Sequence, residues 1–407
     1  MPLSEFALID RYFRNCGMRR ADVRLGVGDD AALLDSPPGC DLVAAIDTLV
    51  DGVHFPHGSP PASVGHRVLA VNLSDLAAMG ARPAWALLAL TLPSIDEAWL
   101  AEFAAGFSGL ARAHDVALVG GDTTSGPLSA TVQILGHVPR SQGLLRSGAR
   151  PGDLVFVSGT PGDAAAGLAV EQGRLAASTD SAAYLRKRFL YPSPRLALGK
   201  CLRGYASACI DISDGLLGDV GKLATASGCG VELFYRDLPV SEALVEAVGE
   251  EHARELALTG GDDYELCFTV SAASVAKLRQ ELPPERWGYS LIGAMRAAPG
   301  AVVTSDGNVM EFSHSGYEHF RNSSPFASNA ARRRNARAGE ACITVAPRTQ
   351  TVSCPAVSPF SRSHVSTGFQ VQRPSKANAT QDPREDRQVR GDQGGRPRQH
   401  GNSLLIP

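Results

Sequence analysis

Apolar residues recur at helical spacing from Ala62 to Met79, through Val64, Val68, Val71, Leu76 and Met79, and Gly80 follows as a C-terminal stop. This pattern predicts a helix that carries Asp75. Helical spacing also marks Phe6 to Phe13, Glu97 to Ala113, Asp163 to Gln172, Ala182 to Leu190, Arg195 to Leu202, Leu216 to Ala226 and Ala273 to Leu282. Short apolar or alternating runs predict strands: Leu42 to Ile46, Trp85 to Leu92 closed by Pro93, Val116 to Val119, Ser129 to Val138, Leu154 to Ser158, Ala208 to Ile212 and Tyr264 to Val270, with short strands near Leu291 and Val302. Several runs deliver an aspartate: Leu42 to Ile46 leads to Asp47, Val116 to Val119 to Gly120-Gly121-Asp122, and Ala208 to Ile212 to Asp214-Gly215. An aspartate where a strand ends points its carboxylate into the crevice at the sheet edge.

The Gly/Pro-rich stretch Arg146 to Asp153 sets a domain boundary. We therefore expect an α+β protein of two α/β-type domains, a sheet-rich one over 1–145 and a second over 146–320. At 407 residues with 44% hydrophobic content the chain can build both cores. From Arg321 onward basic residues outnumber acidic ones, large aliphatic residues are sparse and no period is visible, so 321–407 is expected to be a disordered basic tail. Ala331-Arg332-Arg333-Arg334 lacks interleaved aromatics, which argues against a nucleic-acid site. No apolar run is long enough to span a bilayer and Met1 to Asp10 has no leader pattern, which gives the expectation of a cytoplasmic protein without a membrane partner. The eight cysteines are scattered without C-x-x-C spacing, so thiols are expected rather than zinc or disulfides.

The candidate chemistry lies in the acids. Gly26-Val27-Gly28-Asp29-Asp30, Gly120-Gly121-Asp122-Thr123-Thr124, Asp211-Ile212-Ser213-Asp214-Gly215 and Gly260-Gly261-Asp262-Asp263 repeat one combination of carboxylate, small residue and hydroxyl. Backbone N–H groups can approach an anion there while the carboxylates hold a hard cation such as Mg²⁺. Walker A and protein-kinase signatures are absent, as is a convincing nucleophile and base pair, whereas metal-assisted phosphoryl transfer needs mainly charge neutralisation and positioning.

Those blocks, with Asp47-Thr48-Leu49-Val50-Asp51-Gly52-Val53-His54-Phe55, Val71 to Ala81 and Arg146 to Asp153, resemble in content and order the thiamine-monophosphate kinase family of the aminoimidazole ribonucleotide synthetase-like superfamily, over roughly residues 1 to 320. The resemblance implies ATP-dependent phosphorylation of thiamine monophosphate to thiamine diphosphate, several Mg²⁺ ions, and a homodimer paired through the N-terminal domains. It also implies Asp30, Asp47, Asp75, Asp122, Asp211 and Asp214 as metal ligands, with Asp47, Asp122 and Asp214 the catalytic ones. Gly121, Asp122, Arg146 and Ser213 would contact ATP, and His54, Asp262 and Tyr317 the acceptor. Ala45 and Ile46 stand where the family often has hydroxyl residues, leaving backbone carbonyls to serve a metal there, and Asp262 stands where Glu is common. The alternatives are another synthetase of the superfamily, of aminoimidazole ribonucleotide or selenophosphate type with Cys16 in question, or a nucleotide-binding regulator acting through the basic tail.

Overall fold

In a computed structural model the structure describes residues 4–312 and 316–317; the tail expected over 321–407 lies outside the described residues. In the first half, α1 (Glu5–Leu8) runs into a π-helical turn, Ile9–Phe13, and β1 (Val23–Leu25) pairs with β2 (Leu33–Leu34). Next come β3 (Cys40–Val50), α2 (Pro61–Ala78), β4 (Arg82–Leu92), α3 (Glu97–Ala113), β5 (Ala117–Ser125) and β6 (Ser129–Pro139). The second half opens with β7 (Leu154–Ser158), α4 (Asp163–Glu171), α5 (Thr179–Leu190), α6 (Leu196–Leu202), β8 (Ala206–Asp211) and α7 (Leu216–Ala226). There follow β9 (Gly230–Phe234), α8 (Glu242–Val248), α9 (Glu250–Thr259), β10 (Leu266–Val270), α10 (Val275–Glu281) and α11 (Pro284–Trp287). β11 (Tyr289–Arg296), β12 (Gly300–Ser305) and β13 (Asn308–Met310) complete it.

The strands separate by half. β3-β6-β4-β5 form a four-stranded sheet, antiparallel except for the parallel pair β4 and β5. The other sheet has the order β13-β12-β9-β11-β7-β10-β8, with β9 and β12 parallel. The expected mixed α+β architecture is therefore present.

α2 is the spine on which the halves meet. Pro61 opens it, where the missing N–H costs nothing, and Val68, Leu69, Leu73 and Leu76 are fully buried. A helix apolar on nearly every side must be enclosed. β3 and β6 cover one flank of α2, α3 lies alongside, and α6 and β8 of the second half close the rest. Asp96 starts α3 by accepting the N–H groups of Ala98 and Trp99 at 3.0 and 3.1 Å.

Three expectations need correction. Asp47 and Asp122 lie inside strands, because β6 pairs with β3 along its whole length and β4 carries β5 past the glycines to Ser125. The strand expected from Tyr264 begins at Leu266, since Asp262 and Tyr264 adopt φ of +73° and +52°, incompatible with extended backbone. The pattern also missed β9, only five residues long, and the helices α8 and α9, whose common period is broken at Gly249 with φ +79°.

Candidate active site

A cleft of about 740 Å³ opens where the loop after β3, the helix α2, the end of β8 and the Gly260–Glu265 turn converge. Ile46, Asp47, His54, Asp75, Arg146, Asp211, Ser213, Asp214, Asp262 and Tyr317, ten of the residues singled out in the sequence, line it. Asp47 projects from the inner face of the four-stranded sheet, because its row partners Val132 and Leu88 are buried against α2. Asp75 arrives from the last turn of α2. Asp211 closes β8 and accepts a hydrogen bond from Ser74 Oγ at 2.8 Å.

These carboxylates crowd one another. Burial pushes Asp75 up to about 8, and the charges of Asp211 and Asp47 add to it. Burial likewise raises Asp211 to about 6, against the Ser74 hydrogen bond. Asp47 is raised by burial first, opposed by hydrogen bonding with Asp75 and reinforced by Asp214. Arg146 is the cation that lowers both Asp75 and Asp211. Hard-oxygen donors that repel one another in this way fit a divalent cation.

Asp30, Gly121 and Asp122 lie elsewhere. With Gly28, Asp29 and Arg14 they line a separate cavity of about 500 Å³. Gly121 is required there, for a Cβ would stand 1.8 Å from the Leu88 carbonyl oxygen. Asp122 shares its row with Ala89, Thr131 and Thr48, so its side chain leaves from the outer face of the sheet, opposite to Asp47. Three strand spacings separate β3 from β5, about 14 Å at 4.8 Å each. A third cavity, lined by Asp30, Asp122, Gln133 and Ile46, runs along that outer face, and Ile46 therefore touches both regions. Ala45 and Ile46 lie on the edge strand β3, where alternate carbonyls face away from β6. The six aspartates are thus not gathered in one chain, and among the described residues no group of three or more His, Cys, Asp or Glu forms a ready metal site.

The remaining positions are held by the main chain. Val50 N–H donates to His54 Nδ1 at 3.0 Å, which puts the imidazole proton on Nε2. Tyr317 N–H donates to the Asp214 carbonyl at 2.9 Å, anchoring the main chain of a residue that is 52% exposed at the cleft. Sequence reasoning missed several supporting residues. Asp219 Oδ2 accepts the N–H groups of Ser213, Asp214 and Gly215 at 2.9 to 3.3 Å and so shapes the loop. Lys222 bridges Asp214 at 2.6 Å and Asp219 at 2.7 Å. On a predicted helix both look like solvent-facing charges. Asp263, beside Asp262, does not face the cleft: it caps α4 through Gly162 and Ala164 N–H at 2.6 and 3.1 Å, and burial pushes it up to about 8.

Residues 28–138 match the family described as AIR synthase related protein, N-terminal domain, and residues 150–305 its C-terminal domain. The chain is 49% identical over 322 residues to the thiamine-monophosphate kinase of Escherichia coli K12, an alignment covering 79% of this chain and 99% of that protein. The chain belongs to the thiamine-monophosphate kinase family. The solved thiamine-monophosphate kinase of Stenotrophomonas maltophilia K279a superposes with a TM-score of 0.67 at 47% identity, over 76% of this chain and 99% of that one. AaThiL, solved in complex with AMPPCP and TMP, gives 0.62 at 33% identity, over 72% and 92%. Family membership decides between the kinase expectation and its alternatives. Burial agrees for Cys16, whose thiol it pushes up to about 11, out of reach of nucleophilic chemistry. Among the described residues no helix is long and apolar enough to cross a membrane.

Proposed function

We propose that this chain transfers the γ-phosphoryl group of ATP in line to the phosphate of thiamine monophosphate, giving thiamine diphosphate and ADP. The observation that carries the reading is the one cleft that the crowded Asp47, Asp75 and Asp211 share with His54, Asp262 and Tyr317. An acceptor phosphate is already ionised at neutral pH, so the chain needs no general base; it must bind two anions and hold them in line. Asp47, Asp75, Asp211 and Asp214 would hold Mg²⁺ in the cleft, with Asp30, Asp122 and the backbone carbonyls at Ala45 and Ile46 completing the set. Bound there, Mg²⁺ supplies neutralisation of the charge carried by the two phosphates. Arg146 pairs with phosphate oxygens of ATP, and the Gly121 and Ser213 backbones approach the nucleotide closely. His54 offers Nε2–H to the acceptor phosphate, Asp262 faces the acceptor, and Tyr317 stacks on its heteroaromatic ring.

The division of the aspartates supports a homodimer paired through the outer face of the four-stranded sheet, where Leu42 and Ile46 are 55% and 63% exposed. On this reading the Asp30 and Asp122 group of one copy serves the cleft of the other. The enzyme works in the cytoplasm without nucleic-acid or membrane partners. Incubation with ATP, Mg²⁺ and thiamine monophosphate should yield thiamine diphosphate and ADP in equal amounts, and Asp47→Asn should abolish both while the protein stays folded. Turnover in that variant at near the parent rate would overturn the assignment.

A further inference from the structure

Arg67 lies on α2 two turns before Asp75, with its side chain only 2% exposed. Burying a guanidinium is costly, and a link between two helices could be made more cheaply by an apolar side chain. The contacts it makes are specific. Nη1 donates to the Phe189 carbonyl at 2.5 Å, the guanidinium lies 4.3 Å from the centre of the Phe189 ring, and Nη2 donates to Asp262 Oδ1. Tyr264 OH donates to the same oxygen at 3.2 Å. Among the described residues nothing donates to Asp262 Oδ2.

Asp262 needs such a hold. It sits at φ +73° between Gly261 and Asp263, a conformation that a non-glycine residue keeps only when its surroundings impose it. Its N–H is tied to the Ser213 carbonyl at 2.8 Å, which fixes the backbone but leaves χ1 to the side-chain contacts. Arg67, Val71 and Asp75 recur every four residues on α2, so one helix face carries both the hold on Asp262 and a carboxylate of the cleft.

We infer that Arg67 is a positioning residue for the acceptor: by occupying Oδ1 of Asp262, together with Tyr264, it presents Oδ2 to the thiamine monophosphate. This rests on the reading that Asp262 faces the acceptor. The test is steady-state kinetics, ATP and thiamine monophosphate varied separately, on Arg67→Met, Arg67→Lys, Tyr264→Phe, Asp262→Asn and the Arg67→Met/Asp262→Asn double variant, with thermal melting of each. Loss of a charge-assisted hydrogen bond should raise the KM for thiamine monophosphate in Arg67→Met about tenfold while the KM for ATP stays within about twofold. Arg67→Lys should recover most of that loss. Tyr264→Phe should raise the same KM about threefold, which keeps the inference testable should Arg67→Met not fold. In the Asp262→Asn background, Arg67→Met should add nothing. Additive effects, an equal rise in both KM values, or an unchanged KM in Tyr264→Phe would overturn the positioning role while leaving the acceptor reading intact. An unchanged KM in Asp262→Asn alone would overturn that reading, and this inference with it.

Discussion

Replacing Asp75 by asparagine should abolish turnover and yet make the metal-free protein more stable. Asp75 is raised from 3.8 to about 8 by burial and by the charges of Asp211 and Asp47. Because its folded value lies above its unfolded one, the native state holds an extra proton between about pH 4 and pH 8, so the associated stability is complete below that window and is lost as pH rises through it. At about 1.4 kcal/mol per unit the upper bound is about 6 kcal/mol; the same repulsion is counted again in Asp211 and water reaches the cleft, which together reduce the figure to about 2 kcal/mol. Asparagine imitates the protonated acid at every pH. Near pH 8 in EDTA the variant should therefore exceed the parent by about 2 kcal/mol, or roughly 4 °C in melting temperature, and the two should converge near pH 5.

Calorimetry or dye-monitored melting across that range, with EDTA and then with Mg²⁺, measures both halves of the argument. Mg²⁺ should raise the melting temperature of the parent more strongly as pH rises, since it competes with the shared protons. Asp75→Asn should lose most of that rise. A variant that melts at or below the parent near pH 8 in EDTA would refute the crowding of the carboxylates, and an undiminished Mg²⁺ response would refute ligation by Asp75.

Co-expressing Asp47→Asn with Asp122→Asn should restore about a quarter of parental activity if each site draws Asp47 and Asp122 from different copies, because half the dimers are mixed and each carries one intact site; no recovery would place both in one chain. Arg146→Met should raise the KM for ATP about tenfold with little change in that for thiamine monophosphate, read by steady-state kinetics of ADP formation. Glu265, fully buried, takes Arg195 at 2.5 and 2.6 Å and Arg188 at 2.8 Å. Glu265→Gln should thus cost about 3 kcal/mol in urea denaturation, because Arg195 loses its counter-charge and Arg188 keeps only its longer pair with Asp163 at 3.6 Å.

What the sequence disclosed depended on whether a residue's task is local. The α2 period, the α3 period and most of the apolar strands are written within a few consecutive residues, and these were legible. So were the cleft residues, since each lies in a short block of glycine, acid and hydroxyl whose order along the chain marks the family. What was not legible is set by pairing between distant segments. Asp47 and Asp122 look alike in sequence, each following an apolar run, yet the register of β3, β6, β4 and β5 sends them to opposite faces of one sheet. The same holds for the supporting charges: Arg67 and Asp262 are 195 residues apart, and nothing local to Arg67 names its partner. An arginine at a position where the helical period calls for burial is the one available signal, for Val64, Val68 and Val71 flank it on a helix whose other sides are apolar too. A helix with no solvent face can keep a charge only where a partner waits for it, and the partner here is an acid of the cleft.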